Sequence, residues 1–180
     1  MATRTSLVLT VIGPDRPGIV EQLSDQVLAV GGNWEESRMS RLAGKFAGLL
    51  RVSVDADLAD QLADGLRGLI ADNLIVVVED SGEMDVGGSR MLRLDLVGTD
   101  RPGIVRDISH VLAQNGVNIE ELETEVASAA MSGEPLFHAH ARVRVPGSKN
   151  MEEVRAVLEA MADHLMVDLE FDEGTALAQD

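Results

Sequence analysis

The sequence has no cysteine. That excludes disulfides, thiolate metal centres and cysteine nucleophiles, and it fits a cytoplasmic protein. Aromatic side chains make up 2% of the chain, so any core is filled by Leu, Val, Ile, Ala and Met. Long apolar runs are missing as well. No segment approaches the ~18 consecutive apolar residues of a membrane span, and the N-terminal MATRTSLVLTVIG is too short and too interrupted for a secretory leader. Positive charge is scarce: 15 Lys and Arg face 31 Asp and Glu, for a net charge of −16. Both halves carry the excess, −6 through Arg90 and −10 from Met91 onward. Such a surface repels phosphate backbones. The densest basic stretches, 38–45 and 142–149, are short and lack interleaved aromatics. Neither a direct nucleic-acid partner nor a membrane partner is expected.

What the chain does contain is a repetition. The stretch GPDRPGIV at 13–20 returns as GTDRPGIV at 98–105, an offset of 85. The same offset carries Leu7, Leu9 and Val11 onto Leu92, Leu94 and Leu96, then Gly31 onto Gly116, Asn33 onto Asn118, and Glu35-Glu36 onto Glu120-Glu121. Further on the offset is 91, placing Phe46 on Phe137, Arg51 on Arg142, Val54 on Val145 and Leu74 on Leu165. The second copy has gained six residues around 127–134 (ASAAMSGE). With 180 residues the chain has room for two domains of roughly 80–90 residues, each able to fold. The expected organisation is domain one over 1–80, a Gly-rich linker over 81–90, domain two over 91–172 and a loose tail over 173–180.

Each copy reads as strand, helix, strand, strand, helix, strand. Leu92, Leu94 and Leu96 alternate with Arg93 and Asp95, the pattern of a sheet with one wet face. Ile19, Leu23, Val27 and Val30 recur at helical spacing until Gly31-Gly32 stops the helix. Strands over 33–42 and 46–54 are joined by a short turn at 43–45 (AGK). A second helix is marked by Leu58, Leu62, Leu66 and Leu69/Ile70, matched by Met151, Val154, Leu158 and Met161. Closing strands are expected at 74–78 and 165–171. The fold class is α+β: two tandem ferredoxin-like βαββαβ domains, each an antiparallel sheet with its helices on one face. Right-handed crossovers then place the third strand between the first and second. The strand-to-helix corner shares one end of the domain with the hairpin turn, and the Gly-x-Asn segments lie at the other end.

The repeated corner admits two readings. As plain architecture, Gly13 and Gly98 turn the chain out of the strand, Asp15 and Asp100 cap the helix, and Pro17 and Pro102 suit its first turn. As a site, Gly18 and Gly103 bare backbone N–H groups at the positive end of a helix, a receptor for a carboxylate. Asp15 or Asp100 then takes an ammonium, a combination suited to an α-amino acid. Asn33 and Asn118 can donate and accept; each either reaches the other domain's corner or is a left-handed turn residue after a helix-ending glycine. Trp34 fills either a pocket or the core, and the insertion at 127–134 is either a lid or tolerated surface.

The motif Gly-x-Asp-Arg-Pro-Gly-Ile-Val, the amphipathic helix and the following Gly-x-Asn resemble the ACT domain, in both halves of the chain. The resemblance implies a regulator that senses a small amino acid and acts by contacting a partner protein, such as a transcription factor. By motif position it implies ligand-binding residues Asp15, Arg16, Pro17, Gly18 and Asn33, with Asp100, Arg101, Pro102, Gly103 and Asn118. An exposed sheet edge leaves room for a homo-oligomer.

No enzyme is expected. The chain has no Walker loop, Gly-x-Ser-x-Gly elbow or full Rossmann fingerprint, and no carboxylate pair stands out among 31 acids. His138 and His140 fall on one face of a strand as a candidate metal pair, but no further ligand follows at useful spacing. No cofactor is called for.

Overall fold

A computed structural model describes residues 3–82, 88–129 and 133–173. The linker expected over 81–90, the insertion and the tail lie partly outside the described residues. The chain divides into two compact units, Met1–Met84 and Asp85–Asp180.

In the first unit β1 (Arg4–Pro14) leads to α1 (Ile19–Ala29), β2 (Asn33–Leu42), β3 (Lys45–Asp55), α2 (Ala59–Gly68) and β4 (Ile75–Asp80). The second repeats the order with β5 (Arg90–Thr99), α3 (Ile104–Gln114), β6 (Asn118–Ser128), β7 (Pro135–Val145), α4 (Met151–Leu165) and β8 (Val167–Glu173). Both sheets are four-stranded and antiparallel, ordered β2-β3-β1-β4 and β6-β7-β5-β8. The third strand of each unit lies between the first and second, as expected.

Alternation along the strands decides which face is covered. Leu7, Leu9 and Val11 are buried, as are Leu92, Leu94 and Leu96, while Ile12 and Asp95 on the opposite faces are exposed. Ile19, Leu23 and Val27 of α1 and Leu62 and Leu66 of α2 close the first core, and Trp34 packs against it from β2. The second core draws on Ile104, Ile108 and Leu112 of α3 and on Val154, Leu158 and Met161 of α4. Each cluster is built from its own unit's residues.

The repetition extends to irregularities. Pairing shifts between Trp34 and Glu36 in β2 and again between Ile119 and Glu121 in β6, one bulge at equivalent places. Helix-ending Gly31 and Gly116 are left-handed, with φ of 66° and 70°, as the close of a helix favours.

Several local expectations are corrected. Gly13 and Gly98 do not turn the chain; they sit within β1 and β5, paired with Phe46 and Phe137. The β2–β3 turn is two residues, Ala43 and Gly44, both at positive φ, and Lys45 already belongs to β3. Such a mirror-image turn matches the twist of a hairpin. α2 is flanked by 3-10 turns at Ala56–Leu58 and Leu69–Asp72, so Leu69 is buried but Ile70 is exposed. The closing strands start one and two residues later than expected and each ends two residues later, and Glu173 belongs to β8 rather than to a tail.

Candidate functional site

Each corner is set by one glycine. Gly18 has φ 87° and Gly103 has φ 90°, and each occupies the position just before its helix. Backbone of that kind suits glycine, which carries no Cβ penalty there. The first intrahelical bonds are Gln22 N–H to Gly18 O at 2.9 Å and Asp107 N–H to Gly103 O at 2.9 Å. Among the described residues no side chain caps either helix, though the Ile104 N–H of α3 reaches Arg101 O at 3.3 Å. The first-turn N–H groups at the positive end of the dipole are therefore left largely to an outside acceptor.

This overturns the capping role considered for Asp15 and Asp100. Both stand three residues before the glycine that takes the cap position, too far upstream to reach the first turn. Pro17 and Pro102 likewise precede the helix rather than opening it.

The hairpin comes to the corner in both units. Asp15 N–H donates to Gly44 O at 3.0 Å, and Asp100 N–H to Pro135 O at 3.1 Å. In the first unit Asp15 Oδ2 also meets Arg41 Nε at 2.7 Å, the carboxylate about one-third exposed. The Asp100 side chain is exposed and makes no hydrogen bond or ion pair among the described residues. The motif arginines fold back onto their helices: Arg16 donates to Gln22 Oε1 at 2.6 Å, and Arg101 pairs with Asp107 Oδ2 at 3.0 Å.

The structure thus brings together Asp15, Arg16, Pro17 and Gly18 in one corner and Asp100, Arg101, Pro102 and Gly103 in the other. Within each unit the asparagine stands at the end opposite its own corner, as expected. Asn33 opens β2 opposite Ser53, and Asn118 opens β6 opposite Arg144. Eight residue steps along β3 separate Ser53 from Lys45 beside the corner, about 27 Å at strand rise. Both asparagines are extended strand residues, which corrects their reading as left-handed turns. Asn118 donates to Glu120 Oε1 at 3.0 Å.

Arg41 was missed as a corner residue. The signal lay in the basic stretch 38–45 combined with the shared end of corner and hairpin.

Space near the second corner is small. The apolar cleft lined by Val105, Ile108, Leu122 and Phe137 holds about 10 Å³, at the lower limit for one water. A larger, open depression of about 310 Å³ lies on the uncovered face of the second sheet, between Arg93, Asp95, Glu121, Glu123, His140 and Arg142. There His140 Nδ1 is bonded to Asp95 Oδ1. That bond holds the imidazole above its ordinary pKa, with Asp95, Glu123 and Glu125 adding charge attraction. Among the described residues no three His, Cys, Asp or Glu side chains are grouped to hold a metal ion. No helix among them is long and apolar enough to cross a membrane.

Models of the ACT domain match residues 5–80 and 87–165. Over 169 residues the chain is 23% identical to the glycine cleavage system transcriptional repressor of Escherichia coli, spanning 92% of this chain and 88% of that protein. The Shigella flexneri repressor of the same name gives the same figures. Among solved structures, an unknown protein from Galdieria sulphuraria superposes with a TM-score of 0.86 at 31% identity, over 96% of this chain and 100% of that one. A putative glycine cleavage system transcriptional repressor gives 0.72 at 21% identity, over 94% and 96%, a likeness of fold.

Proposed function

The chain belongs to the ACT domain family in both of its halves, and from that premise we propose a non-enzymatic regulator that binds a small amino acid at its strand-to-helix corners and passes the signal to a partner protein. The observation that carries this reading is the uncapped first turn. Two helices begin at a left-handed glycine with no side chain among the described residues closing their N–H groups, and an aspartate stands three residues upstream. An α-carboxylate on the N–H groups and an ammonium on the aspartate satisfy both.

Glycine is the first candidate effector. That choice agrees with the name of the repressor the chain resembles. The partner is a protein, a transcription factor for example, because a net charge of −16 opposes direct contact with DNA. Such a protein works in the cytoplasm.

Thermal unfolding in the presence of each of the twenty amino acids tests the reading. A ligand at a hundred times its Kd adds about 2.7 kcal/mol, or roughly 5–10 °C in Tm for a chain of this size. A flat profile across all twenty removes the ligand and leaves the fold untouched.

A further inference from the structure

The two corners share a backbone but not an electrostatic state. We propose that Arg41 occupies the ammonium position of the first corner, so that the corner at Asp100 is the tighter of the two amino-acid sites. The inference rests on the reading that these corners receive an amino acid.

The contrast is carried by the hairpins. In the first unit the β2–β3 hairpin supplies Arg38, Arg41 and Lys45, and the Arg41 guanidinium sits 2.7 Å from Asp15 Oδ2. The backbone bond from Asp15 N–H to Gly44 O, two residues past the end of β2 at Leu42, keeps that cation close. In the second unit the equivalent bond runs from Asp100 N–H to Pro135 O. Yet from Asn118 to Ala141 the sequence contains no lysine or arginine at all. Asp100 therefore faces a hairpin unable to supply a permanent cation of its own. Arg101, the nearest guanidinium in sequence, is engaged by Asp107 at 3.0 Å.

An ammonium entering the first corner must displace Arg41 and then sit beside it. An exposed ion pair of this kind shifts an equilibrium by up to about fivefold, enough to rank two otherwise equal sites. Arg41 is exposed enough to leave without disturbing the core, its side chain being 69% accessible.

Isothermal titration with glycine, alanine and serine tests the ranking, on the full chain and on Asp100→Asn, Asp15→Asn, Arg41→Gln and Arg41→Lys. The tighter event is expected to vanish in Asp100→Asn and to survive in Asp15→Asn. In the Asp100→Asn background, Arg41→Gln tightens the remaining event by about fivefold, whereas Arg41→Lys, which keeps the charge, leaves it weak. Loss of the tighter event in Asp15→Asn overturns the proposal, as does a remaining event indifferent to Arg41→Gln. Both results leave amino-acid binding itself standing. Absence of heat in every variant, joined by a flat thermal profile across the twenty amino acids, overturns the amino-acid reading and this ranking together.

Discussion

Gly98 has no room for a side chain, since a Cβ there would lie 2.5 Å from Val167 Cγ1, and one at Gly13 would lie 2.7 Å from Leu74 Cδ2 and 2.8 Å from the carbonyl oxygen of Asn73. Forcing atoms into packed surroundings costs about 1–3 kcal/mol. Gly13→Ala and Gly98→Ala are each expected to lower stability by that amount in urea denaturation. Gly13→Ala is the worse of the two, because the carbonyl it meets cannot rotate away as a valine methyl can. The repeat makes both glycines visible in the sequence. Their reason is not visible there, because Asn73 and Val167 come alongside only when the last strand of each unit pairs with the first. The same holds for His140, whose partner Asp95 lies 45 residues away. That pair sets a pH dependence. The folded imidazole titrates above the ordinary value of 6.5, so its contribution is complete below about pH 6.5 and fades as pH rises through the folded value. The urea midpoints of the native protein and Asp95→Asn are expected to differ most near about pH 6 and least near about pH 9.

Helix starts show how elements divide their labour. α4 begins conventionally, with the Asn150 side chain accepting from the N–H of Glu152 at 3.0 Å; α1 and α3 begin at bare glycines. Asn150→Ala is therefore expected to cost about 1 kcal/mol in equilibrium unfolding. Asp100→Ala, which removes no cap, should stay within about 0.5 kcal/mol of the native protein. A drop of a full kilocalorie in Asp100→Ala would mean that the aspartate supports the corner in the free protein. At this scale the sequence is most informative. Alternation at Leu92, Leu94 and Leu96 identifies the strand and its buried face, and Ala43-Gly44 identifies the hairpin. Element ends are less legible, because Leu69 and Ile70 both fit a helical stripe and only tertiary packing lets the chain tighten into a 3-10 turn after Gly68. The faces away from the helices also diverge between copies. Ile12, Leu49, Ile75 and Val77 are exposed on the first sheet, where the second carries Arg93, Asp95, Glu123 and His140.

Across the molecule, each of the two compact units has a core of its own. Leu9→Ala and Leu94→Ala each empty a fully buried position and are expected to cost about 2–5 kcal/mol. Hydrogen exchange locates the loss: amides of β1 and β3 lose more protection in the first variant, and those of β5 and β7 in the second. This level of organisation was legible from two offsets, 85 and 91, since no single-domain fold needs the same corner twice. The contrast between the corners was not, because the corner motif itself barely differs and the cation that meets Asp15 comes from another strand. Asp100 is moored to Pro135, on the far side of the six residues that the second copy gained, so this anchor of the corner does not depend on the length of the stretch between. Evolution, or an engineer with a short guest peptide, can rewrite the sequence between Ser128 and Pro135 while that bond holds.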